Sequence, residues 1–292
     1  WRDYLELCKP RVVGLIVFTA VIGMFLSTPG AVPLAVFIPA TFGIALASAS
    51  AAAINHVVEH RTDALMARTR NRPLPQGGLS RAQALTFALT IGALSMYLLI
   101  AFVNVLTAVL TFASLIGYAV IYTMYLKYAT PQNIVIGGAA GAAPPVLGWT
   151  SVTGHIDPHA LLLFLIIFAW TPPHFWSLAI CKRDEYASAG IPMLPITHGT
   201  DHTRLQILLY TVILTVATML PFITYMSGAV YLVGAVALDS VFLYYAIRMQ
   251  SDHDDELAMA AFRYSIVYLT GLFFFFFLDH YWSAILKQLG IA

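Results

Sequence analysis

The fold class expected from this chain is all-α, a polytopic membrane bundle of nine transmembrane helices forming one domain over residues 1–292, and three observations predict it. Sixty per cent of the residues are hydrophobic and ten per cent charged, far from the roughly one-quarter charged usage of soluble domains. Mean hydropathy is strongly positive. Apolar stretches of about 20 residues, the length that crosses a hydrocarbon core of about 30 Å, recur between polar or Pro/Gly punctuation. Isolated spans satisfy their backbone groups only as helices.

The stretches run over 12–28, 32–55, 83–103, 105–126, 133–150, 160–181, 205–225, 227–247 and 264–285. The first is short and follows a charged start, as a signal peptide would, but removing it would reverse the parity that the later loops obey. The second is expected to continue as helix beyond the membrane surface, because no Pro occurs between Ala40 and Asn71; Asn71-Arg72-Pro73-Leu74-Pro75-Gln76-Gly77-Gly78 then ends it. Ser80-x-x-Gln83 has the form of a capping box for the third. The fourth carries Tyr118, Tyr122 and Tyr125 near its inner end, either an interfacial aromatic belt or a set of cation-stabilising faces. Gly137, Gly138 and Gly141 make the fifth thin and Pro144-Pro145 break it, which favours close helix packing or room for a flat ligand. The sixth contains Pro172-Pro173, which loosen a helix by removing backbone donors. The eighth holds Asp239, an acid near mid-span that is either functional or hydrogen-bonded within the bundle. Phe273 to Phe277 give the ninth aromatic bulk.

With a cytoplasmic N-terminus, inner segments hold fourteen of the fifteen Lys and Arg, leaving only Lys287 outside. Such asymmetry sets topology. It is expected to put the N-terminus and the polar loops on the cytoplasmic side of the membrane. Cys8 and Cys181 fall on that reducing side, so no disulfide is expected. The net charge of +1 says little about partners; the lipid bilayer is expected, nucleic acid is not.

Two inner loops are long and polar, Asn55 to Arg81 and Cys181 to Arg204. On a helix, Asn55, Glu59 and Asp63 form a stripe about 12 Å long. The overlapping His56-x-x-Glu59-His60 has the form of a zinc peptidase motif. A catalytic zinc needs a third protein ligand, for which His198 and His202 are the downstream donors, and the neighbouring Arg61, Arg68, Arg70, Arg72, Lys182 and Arg183 would oppose it. Oxygen donors four apart beside Arg and Lys are instead what a magnesium-bridged diphosphate requires, although from charge alone the stretch reads equally as a solvated cytoplasmic loop. Lys182-Arg183-Asp184-Glu185 again puts bases and acids at an inner helix end. Both clusters are expected to clamp one anion; a transporter more often places its polar site near the bilayer midplane. Asp252 to Glu256 and the outer His155, Asp157 and His159 read as ordinary solvated loops.

Several segments together carry a resemblance: Lys9-Pro10-Arg11-Val12; Asn55-xxx-Glu59-xxx-Asp63-xx-Met66-x-Arg68-Thr69-xx-Arg72-Pro73; the run Tyr122 to Trp149; Pro173-His174-Phe175-Trp176; Glu185-Tyr186-xx-Ala189-Gly190-Ile191-Pro192-Met193-Leu194-Pro195; and Phe262-Arg263-Tyr264-Ser265-Ile266. In order and spacing the chain resembles the protohaem IX farnesyltransferases (haem O synthases), UbiA-type intramembrane prenyltransferases, over nearly its whole length. It departs from them in having Glu at 59 and 185 where Asp is usual, and Ser188 where the wider superfamily's second motif has its last Asp.

The resemblance implies transfer of the farnesyl group of farnesyl diphosphate to a vinyl group of haem b, with water added, giving haem O and diphosphate, with Mg2+ as cofactor. The catalytic residues it implies are Asn55, Glu59, Asp63, Asp184 and Glu185. Of these Asn55, Glu59, Asp63 and Glu185 are the metal ligands. Arg68, Arg72, Lys127, Lys182 and Arg183 are expected at the diphosphate, and His174 and His56 at the haem, although His174 can equally hydrogen-bond within the bundle. A haem A synthase or terminal-oxidase assembly factor is a candidate partner on the same ground. The rival readings are another acceptor, such as a quinone precursor or chlorophyllide, and a haem or anion transporter.

Overall fold

The computed structural model describes residues 1–67 and 69–288, whose regular structure is all helical, with no strand among them. In chain order the helices are α1 (Arg2–Leu7), α2 (Pro10–Leu26), α3 (Leu34–Asp63), α4 (Arg81–Phe102) and α5 (Val105–Ile116). The chain continues from α5 as a π-helix, Gly117–Leu126, into α6 (Lys127–Ala129). Then follow α7 (Asn133–Ala142), α8 (Pro144–Thr153), α9 (Pro158–Cys181), α10 (Arg183–Ser188), α11 (Leu194–Thr197), α12 (Thr200–Ile223), α13 (Ala229–Ser251) and α14 (Asp255–Gln288).

Seven helical runs among the described residues are long and apolar enough to cross a membrane: α3, α4, the continuous run Val105–Ala129, α9, α12, α13 and α14. Two of the nine expected spans therefore take another form. The first is α2, whose 17 residues reach about 26 Å at 1.5 Å per residue, short of the hydrocarbon core. The fifth is two ten-residue helices, α7 and α8, meeting at Ala143. Pro144 and Pro145 lack the backbone donors that would carry one ladder through. The capping box before α4 is present, with Ser80 N donating to Gln83 Oε1 at 2.9 Å and Gln83 N to Ser80 Oγ at 3.2 Å.

Small residues set the closest helix approaches, as they do where lipid provides no hydrophobic driving force between helices. The α2 and α8 backbones touch: a Cβ at Gly148 would overlap the Ala20 carbonyl, and one at Gly23 the Pro145 carbonyl. Between α3 and α4, Ser95 Oγ donates to Gly43 O at 2.6 Å and Ser50 Oγ to Ala88 O at 2.8 Å. The largest buried cluster joins α9, α12, α13 and α14 through Trp170, Leu214, Tyr231, Phe242, Tyr268 and Phe276. Asp239 sits inside it, accepting from Thr218 Oγ1 at 2.7 Å and Tyr268 Oη at 2.6 Å, so this acid is a hydrogen-bonded clamp between three helices. At the far end Asp279 accepts from the backbone N–H groups of Gly228 and Tyr231, anchoring α14 to the start of α13.

Gly148→Leu should drive α2 and α8 apart, at a cost of about 1–3 kcal/mol or more because the clash is with backbone. Thermal unfolding in detergent should show a clearly lowered midpoint, while Gly141→Ala, where nothing lies within 4 Å of the added carbon, leaves the midpoint unchanged.

Candidate active site

The C-terminal end of α3 carries the predicted stripe, and it is buried: Asn55 is 3 % exposed, Glu59 4 % and Asp63 1 %. Buried carboxylates are stable only when paired and hydrogen-bonded. Each member of the stripe takes one cation, each from a different part of the chain. Lys9 Nζ donates to Asn55 Oδ1 at 2.6 Å, Lys127 Nζ to Glu59 Oε1 at 2.5 Å and Arg72 Nη1 to Asp63 Oδ2 at 2.7 Å. Asn55 Nδ2 also donates to Thr123 Oγ1 at 3.3 Å. Asn55 and Glu59 thus meet Thr123 and Lys127, four residues apart on each side.

The helix does not run on toward Asn71 as expected. It stops at Asp63, because the Thr69 hydroxyl takes the Asp63 carbonyl at 2.8 Å while Arg72 folds back onto the Asp63 side chain. A local side-chain bond competes with the helix ladder, and it brings the arginine loop over the stripe. Arg68, expected at the diphosphate, lies outside the described residues.

Lys127 reaches Glu59 from the end of the π-helix. Within that stretch Thr123 Oγ1 donates to Tyr118 O, five residues back, at 2.8 Å. Tyr118 and Tyr122 stack with centroids 5.6 Å apart, and Tyr122 lies against Gly137, where any side chain would overlap its ring. Tyr125 is 68 % exposed. The three tyrosines therefore divide: two turn toward the bundle, one faces outward. The glycine at 137 makes room for a tyrosine, not for a flat ligand.

Lys9 is the residue the sequence reading passed over, although it stands in a quoted motif. Pro10 disfavours the helical region for the residue before it, and Lys9 adopts φ 47°, ψ 61° at the α1–α2 elbow. Burial, then the Arg72 guanidinium, push its ammonium down to about 7 against the opposing pull of Glu59 and Asp63. A Lys directly before a helix-initiating Pro was the available signal.

The second polar loop packs at the same end of the bundle as the first, since Met66 and Tyr186 share one buried cluster with Trp176, Ile191 and Met193. Lys182 Nζ donates to Glu185 Oε1 at 2.9 Å. The remaining pair turns away. Arg183 Nη1 contacts both Asp255 oxygens at 3.0 and 2.8 Å, and the Asp184 side chain is 96 % exposed. The acidic loop after α13 is therefore tied down by Arg183, and it is also held by Arg204 Nη2, which donates to His253 O at 3.0 Å.

His174 lies in α9, stacked between Trp170 and Phe262 with centroids 4.2 and 4.7 Å away. Its Nδ1 is 2.6 Å from Ser265 Oγ. The single hydroxyl proton of Ser265 goes to Phe262 O at 2.6 Å, so Nδ1 carries the hydrogen and Nε2 keeps its lone pair. His56 is 2 % exposed and neither ring nitrogen has a hydrogen-bond partner. His60 Nδ1 lies 3.1 Å from Val57 O, within its own helix.

Among the described residues no three His, Cys, Asp or Glu side chains converge as a metal-binding group. Magnesium needs fewer protein ligands because it shares its shell with water and substrate phosphates. Asp63 Oδ1 is a buried oxygen with no partner in the protein, beside a second carboxylate and an amide oxygen. This donor set suits a hard cation.

Residues 16–278 match the model of the UbiA prenyltransferase family. The protein named protoheme IX farnesyltransferase in Methylococcus capsulatus (strain Bath) is 61 % identical over 281 residues, covering 96 % of this chain and 94 % of the relative. Its namesake in Nitrosococcus oceani is 59 % identical with the same coverage. Among solved structures, a digeranylgeranylglyceryl phosphate synthase superposes with a TM-score of 0.80 at 18 % identity, over 96 % of this chain and 98 % of that one. A UbiA homologue from Archaeoglobus fulgidus bound to DMAPP and Mg2+ superposes with a TM-score of 0.68 at 17 % identity, over 94 % and 99 %. The chain belongs to the UbiA prenyltransferase family, as a multi-pass membrane protein whose buried polar stripe lies at one end of an all-helical bundle.

Proposed function

We propose that this protein is a magnesium-dependent protohaem IX farnesyltransferase of the bacterial cytoplasmic membrane, working as a single domain with its polar loops in the cytoplasm. Identity of 57–61 % to the eight relatives bearing that name supports the acceptor. The observation that carries the chemistry is the buried stripe with a cation at every member. The distribution of Lys and Arg supports the orientation.

Asn55, Glu59 and Asp63 are assigned to one magnesium and Glu185 to a second. Arg72, Lys127 and Lys182, with Arg68, are assigned to the diphosphate; Arg183 and Asp184 act at most through their neighbours. Magnesium, when bound, neutralises charge on the leaving diphosphate. Lys127 and Arg72 are held beside the stripe by Glu59 and Asp63, and they supply further positive charge to the leaving group once those carboxylates turn to the metal. The C1–O bond of farnesyl diphosphate breaks and the electron pair leaves with diphosphate. The terminal carbon of a haem vinyl group bonds to C1, the oxygen of a water molecule adds to the inner vinyl carbon, and that water releases a proton. Stacked Tyr118 and Tyr122 present ring faces to the allylic cation, and the apolar bundle keeps water from it before the vinyl group arrives.

His174 is assigned to the haem iron. A ligating imidazole typically donates its other N–H to a fixed acceptor, and Ser265 is such an acceptor, leaving the Nε2 lone pair available.

Purified protein incubated with magnesium, farnesyl diphosphate and haem b should release pyrophosphate and yield a product whose mass equals haem b plus farnesyl plus hydroxyl. Chelation of magnesium should abolish both signals, and a product of another acceptor would redirect the assignment. Asp63→Asn should lower turnover by roughly 10²-fold or more, the scale of losing one electrostatic stabiliser; normal magnesium-dependent turnover would remove Asp63 from the site. His174→Ala should shift the Soret band of bound haem, and an unchanged spectrum would exclude direct ligation.

A further inference from the structure

A cavity lies beside the stripe, and Lys9 and Arg72, the partners of Asn55 and Asp63, form part of its wall. It measures about 260 Å³ and is lined by Glu6, Lys9, Pro10, Arg11, Val12, His56 and Arg72. Four of those seven residues, Lys9, Arg11, His56 and Arg72, are permanently or potentially cationic bases, against one acid.

Three independent features mark it as built for a ligand. His56 lines it while 98 % buried by its 2 % exposure, and both of its ring nitrogens lack a partner in the protein; a buried polar group without a bond is rare and calls for an explanation. Lys9 holds a left-handed backbone conformation, φ 47°, which a non-glycine residue keeps only where the surroundings impose it. From that elbow its ammonium reaches Asn55 beside the cavity. Arg11 enters into no ion pair among the described residues, so one full guanidinium is uncommitted at the cavity.

The chemistry of the lining selects among anions. A metal-bridged diphosphate needs carboxylates on its metal, and neither Glu59 nor Asp63 lines this cavity. Here the only acid is Glu6, and the donors are an ammonium, guanidinium groups and an imidazole, which suit carboxylates bound directly. The volume is below that of a pocket enclosing a drug-sized ligand, so it holds a charged edge while the bulk of the molecule lies elsewhere. We propose that the cavity formed by Lys9, Arg11, His56 and Arg72 binds the carboxylate edge of the prenyl acceptor, which, on the reading of the acceptor as haem b, is its pair of propionates. Holding that edge at the aqueous rim turns the opposite, apolar vinyl edge toward the bundle interior and the allylic carbon. Arg72, which lines the cavity and bonds Asp63, then belongs to both subsites.

The test compares haem b with its dimethyl ester, which masks both carboxylates and leaves ring, iron and vinyl groups unchanged. Each is titrated by Soret absorbance into the full-length protein in detergent, without farnesyl diphosphate. Wild-type protein should bind haem b at least about tenfold more tightly than the ester. Arg11→Gln, at an exposed position that folding tolerates, should lower haem b affinity several-fold and leave the ester unaffected, so that the ratio collapses; His56→Leu should act in the same direction. An unchanged ratio in both variants overturns the proposal. So does a loss confined to magnesium-pyrophosphate binding in Arg11→Gln, which would assign the cavity to the diphosphate. If neither porphyrin binds the wild type, the haem acceptor itself is wrong, a failure distinct from binding that ignores esterification.

Discussion

The buried pairing of Asn55, Glu59 and Asp63 with Lys9, Lys127 and Arg72 governs one end of the helical bundle. Two carboxylates with at most 4 % exposure would be untenable alone, and removing one partner of such a pair typically costs about 3–5 kcal/mol. The three cations come from the α1–α2 elbow, the end of the π-helix and the loop after α3. Each must be delivered to within about 2.7 Å of its acceptor, so the positions of three separate segments follow from one stripe. The same arrangement concentrates opposite charges that a bound metal and a diphosphate can each take up.

The π-helix is where backbone geometry and chemistry meet. Long π stretches are rare and tend to occur at functional sites, and here ten residues, Gly117–Leu126, adopt one. The Thr123 hydroxyl bonds five residues back within it and also accepts from Asn55, while Lys127 follows immediately at Glu59. Tyr118 and Tyr122 are carried to the bundle side by the same segment. A polar contact, an ion pair and two aromatic faces thus depend on one irregular element. Gly137 makes it possible, because Tyr122 fills the space where any side chain would stand.

Much of this was legible beforehand. Hydropathy gave the helical class, and the spacing of Asn55, Glu59 and Asp63 placed them on one helix face because side chains four apart align whatever the tertiary context. The Ser80–Gln83 capping box was readable for the same local reason. What stayed hidden depends on contacts distant in sequence. The end of α3 at Asp63 is set by Thr69 and Arg72 folding back, and no Pro or Gly marks it. The division of labour between Lys182 and Arg183 is decided by Asp255, over 70 residues away in a loop that read as plain solvated acid. Hydropathy also cannot distinguish a continuous span from α7 and α8 placed end to end, and it overstates α2, which is apolar but short.

The most direct test of the paired stripe uses Mn2+ in place of magnesium and counts bound metal by electron paramagnetic resonance, with and without a non-ionisable farnesyl diphosphate analogue. Tight binding should require the analogue, show phosphorus hyperfine coupling, and be lost in both Glu59→Gln and Asp63→Asn. Metal binding that is equally tight without the analogue, or that survives both substitutions, would contradict the assignment of this stripe to a metal-bridged diphosphate.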